Sequence, residues 1–161
     1  MTPRLEVPAG DWQRVSPKYI VVDLLGNLIF GVIVVIATAM PALLTGNGLF
    51  WALPVTFAVI FILVLAFTPR RVRAIGYQLR DDDLVFRKGL MFQRFVAVPY
   101  GRMQLVDINR GPLARAVGLS ELKFVTAAAA SGVVIPGLPE ADAEGLRDRL
   151  VALAESRRAG L

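Results

Sequence analysis

The chain contains no cysteine and no histidine in 161 residues. Without cysteine there is no disulfide and no thiol nucleophile; without either residue type there is no Cys/His zinc site, no imidazole acid–base pair and no His-ligated haem. Serine is sparse, and the carboxylates available for chemistry reduce to Asp107 and the run Asp81-Asp82-Asp83. No further oxygen-rich set accompanies that run, so it reads as a solvated turn and not a cation site. The expectation is a protein that is not an enzyme, with no catalytic residue, no metal and no cofactor. A cleavable signal pattern is also missing: the first 18 residues are polar with prolines, and the first apolar run is too long for an h-region, so an uncleaved anchor is expected.

The third absence organises everything else, for from residue 24 to residue 69 no charged side chain occurs. About 20 apolar residues in a helix cross a ~30 Å hydrocarbon core, and this run is long enough to cross twice. The spacing predicts spans over residues 24–44 and 49–67, with the turn formers Thr45, Gly46, Asn47 and Gly48 between them. The competing reading, a buried hairpin of a soluble protein, lacks material to cover two such helices on every face. Arg14 and Lys18 precede the run, Arg70, Arg71 and Arg73 follow it, and the connecting loop is uncharged. The positive-inside rule then places both termini in the cytoplasm of a multi-pass protein of the bacterial inner membrane. Asp23 stands at the inner boundary, within reach of interfacial water. Pro41 and Pro54 lie near the outer helix ends, and Phe50 and Trp51 suit an outer aromatic belt. Trp12 and Tyr19 suit the inner interface, with packing of Trp12 on the cytoplasmic domain as the alternative.

Residues 1–19 form an arm, irregular over 1–16; residues 20–69 form the hairpin; residues 70–161 are enough for one small domain. The net charge is +5, and all of it lies beyond residue 69. Basic residues spread along the chain without stacking aromatics argue against nucleic acid. Ile75, Tyr77 and Leu79 alternate with Gly76, Gln78 and Arg80, as in a half-buried strand. Residues 84–88 return after the Asp turn, and Gly89 reverses the chain again. Further strands are predicted over 92–99, 104–111, 122–127 and 133–135, with Val106 and Ile108 facing one way and Asp107 and Asn109 the other. Residues 113–118 form a helical turn, and 127–132 a loop. Leu146, Leu150 and Leu153 fall at helical spacing in a last helix, with Glu140, Asp142 and Glu144 near its start and Arg157 and Arg158 near its end. Strands followed by one helix indicate a strongly bent antiparallel sheet or partly open barrel, closed by that helix.

Tyr77-Gln78-Leu79-Arg80, Arg87-Lys88-Gly89-Leu90, Val98-Pro99-Tyr100 with Arg102-Met103-Gln104, Gly111-Pro112-Leu113-Ala114-Arg115 with Gly118-Leu119, and Ile135-Pro136-Gly137-Leu138, behind two membrane helices, form a recognisable series. In order and spacing the chain resembles the bacterial membrane-anchored pleckstrin-homology-like proteins, of the bPH2/DUF304 type. The resemblance implies a two-helix transmembrane hairpin followed by a mainly-β, seven-stranded, two-sheet PH-like barrel with a C-terminal capping α-helix. The motif residues read as structural, with Gln104 offering an amide to bridge backbones. The basic ligand motif of eukaryotic PH domains is echoed in part by Arg80, Arg87 and Lys88.

Two functions are expected from these residues. In the first, a non-catalytic accessory or scaffold protein binds and stabilises a larger membrane complex, respiratory, transport or export in kind, through its hairpin and its PH-like domain. Gly26, Gly31, Ala37 and Ala39 would permit close helix approach, although Gly26 and Gly31 do not make GxxxG. A homo-oligomer is compatible with the same residues. In the second, Lys18, Arg70, Arg71, Arg73, Arg80, Arg87 and Lys88 meet anionic lipid headgroups, joined by Arg94 where they share a face.

Overall fold

The computed structural model describes residues 12–126 and 132–159. Two long helices dominate the N-terminal part, α1 (Lys18–Thr45) and α2 (Ala52–Arg73), joined by a 3-10 turn at Gly48–Trp51. Their 28 and 22 residues give lengths of about 42 and 33 Å, enough for a ~30 Å hydrocarbon core. The predicted turn formers make the reversal. Gly46 takes a φ of 62°, which a residue without a Cβ adopts freely, and its N–H donates to the Ala42 carbonyl at 3.1 Å. The Asn47 side chain accepts from the Leu49 N–H at 3.0 Å.

Both helices outrun the predicted spans. α2 continues through Pro69 to Arg73 because a proline near a helix end removes one donor without breaking the preceding turns. The hydroxyls of Thr38, Thr45, Thr56 and Thr68 donate to the carbonyls of Val34, Pro41, Ala52 and Val64, so each is satisfied within its own helix. In each helix only 6% of the most apolar window is buried. A core hairpin would be covered on most sides, so the buried-hairpin reading fails, and what remains is a helix pair long and apolar enough to cross a membrane.

The rest of the chain forms two antiparallel sheets. The first has the order β1 (Gln13–Arg14), β2 (Gly76–Leu79), β3 (Asp83–Lys88), β4 (Arg94–Pro99); the second is β5 (Met103–Asn109), β6 (Leu119–Thr126), β7 (Val133–Pro139). A short helix α3 (Pro112–Ala116) links β5 to β6, and α4 (Glu140–Ala159) closes the domain. Leu84, Tyr100, Met103, Leu122, Phe124, Ile135 and Leu138 are buried between the sheets, and α4 adds Ala143, Leu146, Leu150 and Ala154 at helical spacing. Each large side chain removed from water in this way stabilises the fold by about 1.5–3 kcal/mol. Arg110 pairs with Glu140 and Glu144, fastening the start of α4 to the end of β5. This is the expected seven-stranded, two-sheet PH-like fold with a capping helix, although the sheets do not close into a barrel.

Two local readings are corrected and one pair of alternatives is decided. The arm expected to be irregular supplies β1, whose Gln13 and Arg14 pair with Tyr77 and Gly76, while Val15 joins the core. Two residues are too few to show a period, so the pairing partner alone makes them a strand. Trp12 takes the second of its two expected places, packed on the domain, its ring centroid 6.3 Å from that of Phe95. The last strand runs past Pro136 to Pro139, which is tolerated because β7 is an edge strand and the missing N–H need not enter the ladder. Val106 and Ile108 pack toward the core and Asp107 and Asn109 are exposed, as their alternation indicated. The arm upstream of Trp12, the loop over 127–131 and the side chains of Gln104, Arg157 and Arg158 lie outside the described residues.

Candidate membrane-facing site

The hairpin is an insertion between two paired strands. β1 runs directly into α1, α2 runs directly into β2, and β1 pairs with β2. Both helices therefore leave one edge of one sheet. The junction is tightened at three further places. The Ser16 N–H donates to the Gly137 carbonyl at 2.8 Å. Gly137, at a φ of 67°, leaves room for Tyr19, since any Cβ there would collide with the Tyr19 side chain. Across the helix pair, Asp23 accepts a charged hydrogen bond from Arg71. Asp23 is 18% exposed, so removing Arg71 would strand a mostly covered carboxylate at the end of an apolar helix.

Around this junction lie exposed Lys18, Arg70 and Arg73, the last two in the final turn of α2, where cations suit the helix dipole. The Arg70 guanidinium stands 5.8 Å from the Phe67 ring. β3 and β4 add a second cationic pair. Lys88 and Arg94 are directly opposite one another, at the mouth of a cleft of about 540 Å³ walled by Phe86, Phe92, Val96 and Val133. Facing like charges repel. Among the described residues neither is in an ion pair and no acidic side chain lines the cleft.

A family model described as a bacterial PH domain matches residues 20–154, helices and sheets together. The chain belongs to the bacterial PH domain family. It is also similar to the UPF0699 transmembrane protein YdbS of Bacillus subtilis (strain 168), with 33% identity over 78 residues, 48% of this chain and 48% of that protein. The chain thus spans about half the length of the curated relative it matches. No solved structure matches it.

Within this bacterial PH domain protein the predicted basic residues divide into groups. Lys18, Arg70 and Arg73 gather at the helix ends, and Lys88 joins Arg94. Arg71 is engaged with Asp23. Arg87 has the opposite parity to Lys88 and faces the other side of the sheet, its guanidinium 4.7 Å from the Trp12 ring. Arg80 follows β2 at its far end, about 13 Å along the strand from Gly76, and its carbonyl accepts from the Tyr100 hydroxyl at 2.8 Å. Arg80 and Arg87 are thus separated from the cationic mouth by strand length and by strand parity. Arg94, five residues beyond Gly89 and outside the partial echo of eukaryotic motifs, is the partner that the β3–β4 register supplies.

Of the predicted helix contacts, Gly31 is buried in the seam, where an added Cβ would meet the Phe61 ring at 2.8 Å. Phe30 and Phe61 pack edge to face, ring centroids 5.9 Å apart. Gly26 and Ala37 are exposed and Ala39 is half-buried; a Cβ at Gly26 would meet nothing. In the domain, burial raises the Tyr77 and Tyr100 phenols above their ordinary value of 10.0, with Asp142 and Asp83 respectively adding to the shift. Both are core residues. Among the described residues no group of three His, Cys, Asp or Glu side chains is arranged to hold a metal.

Proposed function

We propose that this protein is a non-catalytic accessory protein of the bacterial inner membrane. Its hairpin crosses the bilayer twice, both ends are cytoplasmic, and its PH-like domain is held against the inner surface to bind and stabilise a larger membrane complex of the respiratory, transport or export kind. The observation that carries this reading is the two-point attachment, in which β1 and β2 are paired across the hairpin they flank. A domain on one flexible linker samples many orientations, whereas one fixed through two adjacent strands presents the same face to its neighbours at all times. Such fixation removes orientational entropy before a partner arrives and so favours a scaffold. The charge pattern of the flanks supports the cytoplasmic placement. Mass spectrometry of a tagged copy extracted from native membranes in mild detergent tests it. Larger membrane subunits in a fixed ratio are expected; recovery as a lone monomer or a homo-oligomer overturns the reading.

A second reading, recognition of anionic lipid headgroups, is favoured by the unneutralised pair Lys88 and Arg94. It predicts that bound anionic lipid is lost on raising salt, measured by lipid analysis of the purified protein.

A further inference from the structure

The inference deepens the lipid reading and rests on it: beyond the cationic pair Lys88 and Arg94, the β3–β4 hairpin carries an apolar tip which that reading leaves unused. Arg87 pairs with Gly76, and Gly76 stands three residues after Arg73, the end of α2. The tip that follows Lys88 therefore lies at the end of the sheet from which the helix pair departs. Gly89 makes the reversal at a φ of 112°, with the Phe92 carbonyl lying where a Cβ would be. The turn so formed points Leu90, Met91 and Phe92 outward, 41%, 87% and 90% exposed. Met91 and Phe92 are more exposed than any large apolar side chain of the helix pair itself. Three consecutive apolar residues held in water by a well-packed domain mark a surface built to be covered. At the base of the same tip stand Lys88 and Arg94, facing each other, and among the described residues no acidic side chain lines the cleft there.

We propose that the tip formed by residues 90–92 inserts into the headgroup region of the bilayer from which the helices emerge, with Lys88 and Arg94 binding lipid phosphates at its base. The occupant is an anionic phospholipid surface. Apolar side chains at a tip ringed by cations match the layered chemistry of a membrane boundary, acyl chain beneath phosphate. The domain is thereby held to the membrane at a third point, and its docking responds to the anionic lipid content of the leaflet. The inference rests on the reading that the hairpin spans the bilayer.

The absence of native cysteine permits a direct test on the full chain. Met91→Cys, labelled with an environment-sensitive fluorophore, is placed in nanodiscs of mixed phosphatidylglycerol and phosphatidylcholine. Asp81→Cys, at the opposite end of the sheet, serves as the aqueous control, and Ile33→Cys as the membrane control. The expected result is a blue-shifted Met91→Cys label, quenched by spin-labelled lipid and several-fold less quenched by iodide than Asp81→Cys. That protection is lost in the added Lys88→Glu/Arg94→Glu background and falls with added salt. Iodide quenching equal to that of Asp81→Cys overturns the proposal. Protection unchanged in pure phosphatidylcholine overturns the role given to the cations. A label open in anionic nanodiscs but shielded in native membranes assigns the tip to a protein partner and also overturns it. If Ile33→Cys escapes lipid quenching, the spanning reading fails; if Ile33→Cys is quenched and Met91→Cys is not, the tip inference alone fails.

Discussion

The helix pair and the sheet domain are both rich in leucine, valine, isoleucine and phenylalanine, yet they use them in opposite ways. In the domain such residues turn inward, with Leu84, Leu122, Phe124, Ile135 and Leu150 essentially inaccessible. In the helix pair Phe30, Ile33, Ile36, Ile62 and Leu63 are more than half exposed. The difference teaches that burial here is a statement about the intended solvent. A side chain that stabilises the domain by leaving water stabilises the hairpin only by close packing along one seam, because hydrocarbon outside the seam is as apolar as the seam itself.

The contrast can be broken most severely in the domain core. Phe124→Ala is expected to destabilise the domain by about 3–5 kcal/mol, read by chemical denaturation, because it leaves a cavity between the sheets. Ile33→Ala on the open face of α1 is expected to shift the same transition by no more than about 0.5 kcal/mol. Gly31→Leu comes next, since its side chain must displace Phe61; overpacking is expected to cost about 1–3 kcal/mol in hairpin stability, measured by unfolding in detergent. Gly26→Leu, with open space around it, is the matched control and should be nearly neutral.

Trp12→Ala sharpens the comparison at the junction between the two regions. It removes the ring that covers Gly76, lies beneath the Arg87 guanidinium and meets Phe95 edge to face, and about 1–2 kcal/mol is expected from the lost cation–π and aromatic contacts. Hydrogen exchange should rise in β1 and β2 before it rises in α4. The smallest effect is on pH dependence. Burial raises the Tyr100 phenol above 10.0 in the folded domain, so the neutral form is favoured by folding. That contribution is complete below the unfolded value and is lost as the pH climbs through the folded one. Stability should fall above about pH 10, and Tyr100→Phe should flatten the fall while costing about 1 kcal/mol at neutral pH for the lost bond to the Arg80 carbonyl. Denaturation curves at several pH values check both.

Much of this architecture was legible because its signals are local. The uncharged run states its own length, Gly46 and Asn47 announce the reversal, and the alternation of Ile75, Tyr77 and Leu79 announces a strand. The candidate site was less legible. Lys88 and Arg87 are neighbours in the sequence, but strand parity sends one to the cationic mouth and the other onto Trp12. Arg80 belongs to the same basic group by composition and is removed from it by the length of β2. Arg94 gains its place only through its register with Lys88.

By itself, then, the sequence determined the two apolar helices, the turn between them, the strand and helix periods of the domain and the absence of thiol and imidazole chemistry. These depend on residue type and on spacings of two to four residues. Tertiary structure alone decided that residues 13 and 14 close a sheet with residues 76 and 77, that Asp23 meets Arg71, and that Lys88 faces Arg94 beneath an exposed apolar tip. Each of those joins side chains through strand pairing or helix packing, and pairing energy resides in the partner, which no local pattern records.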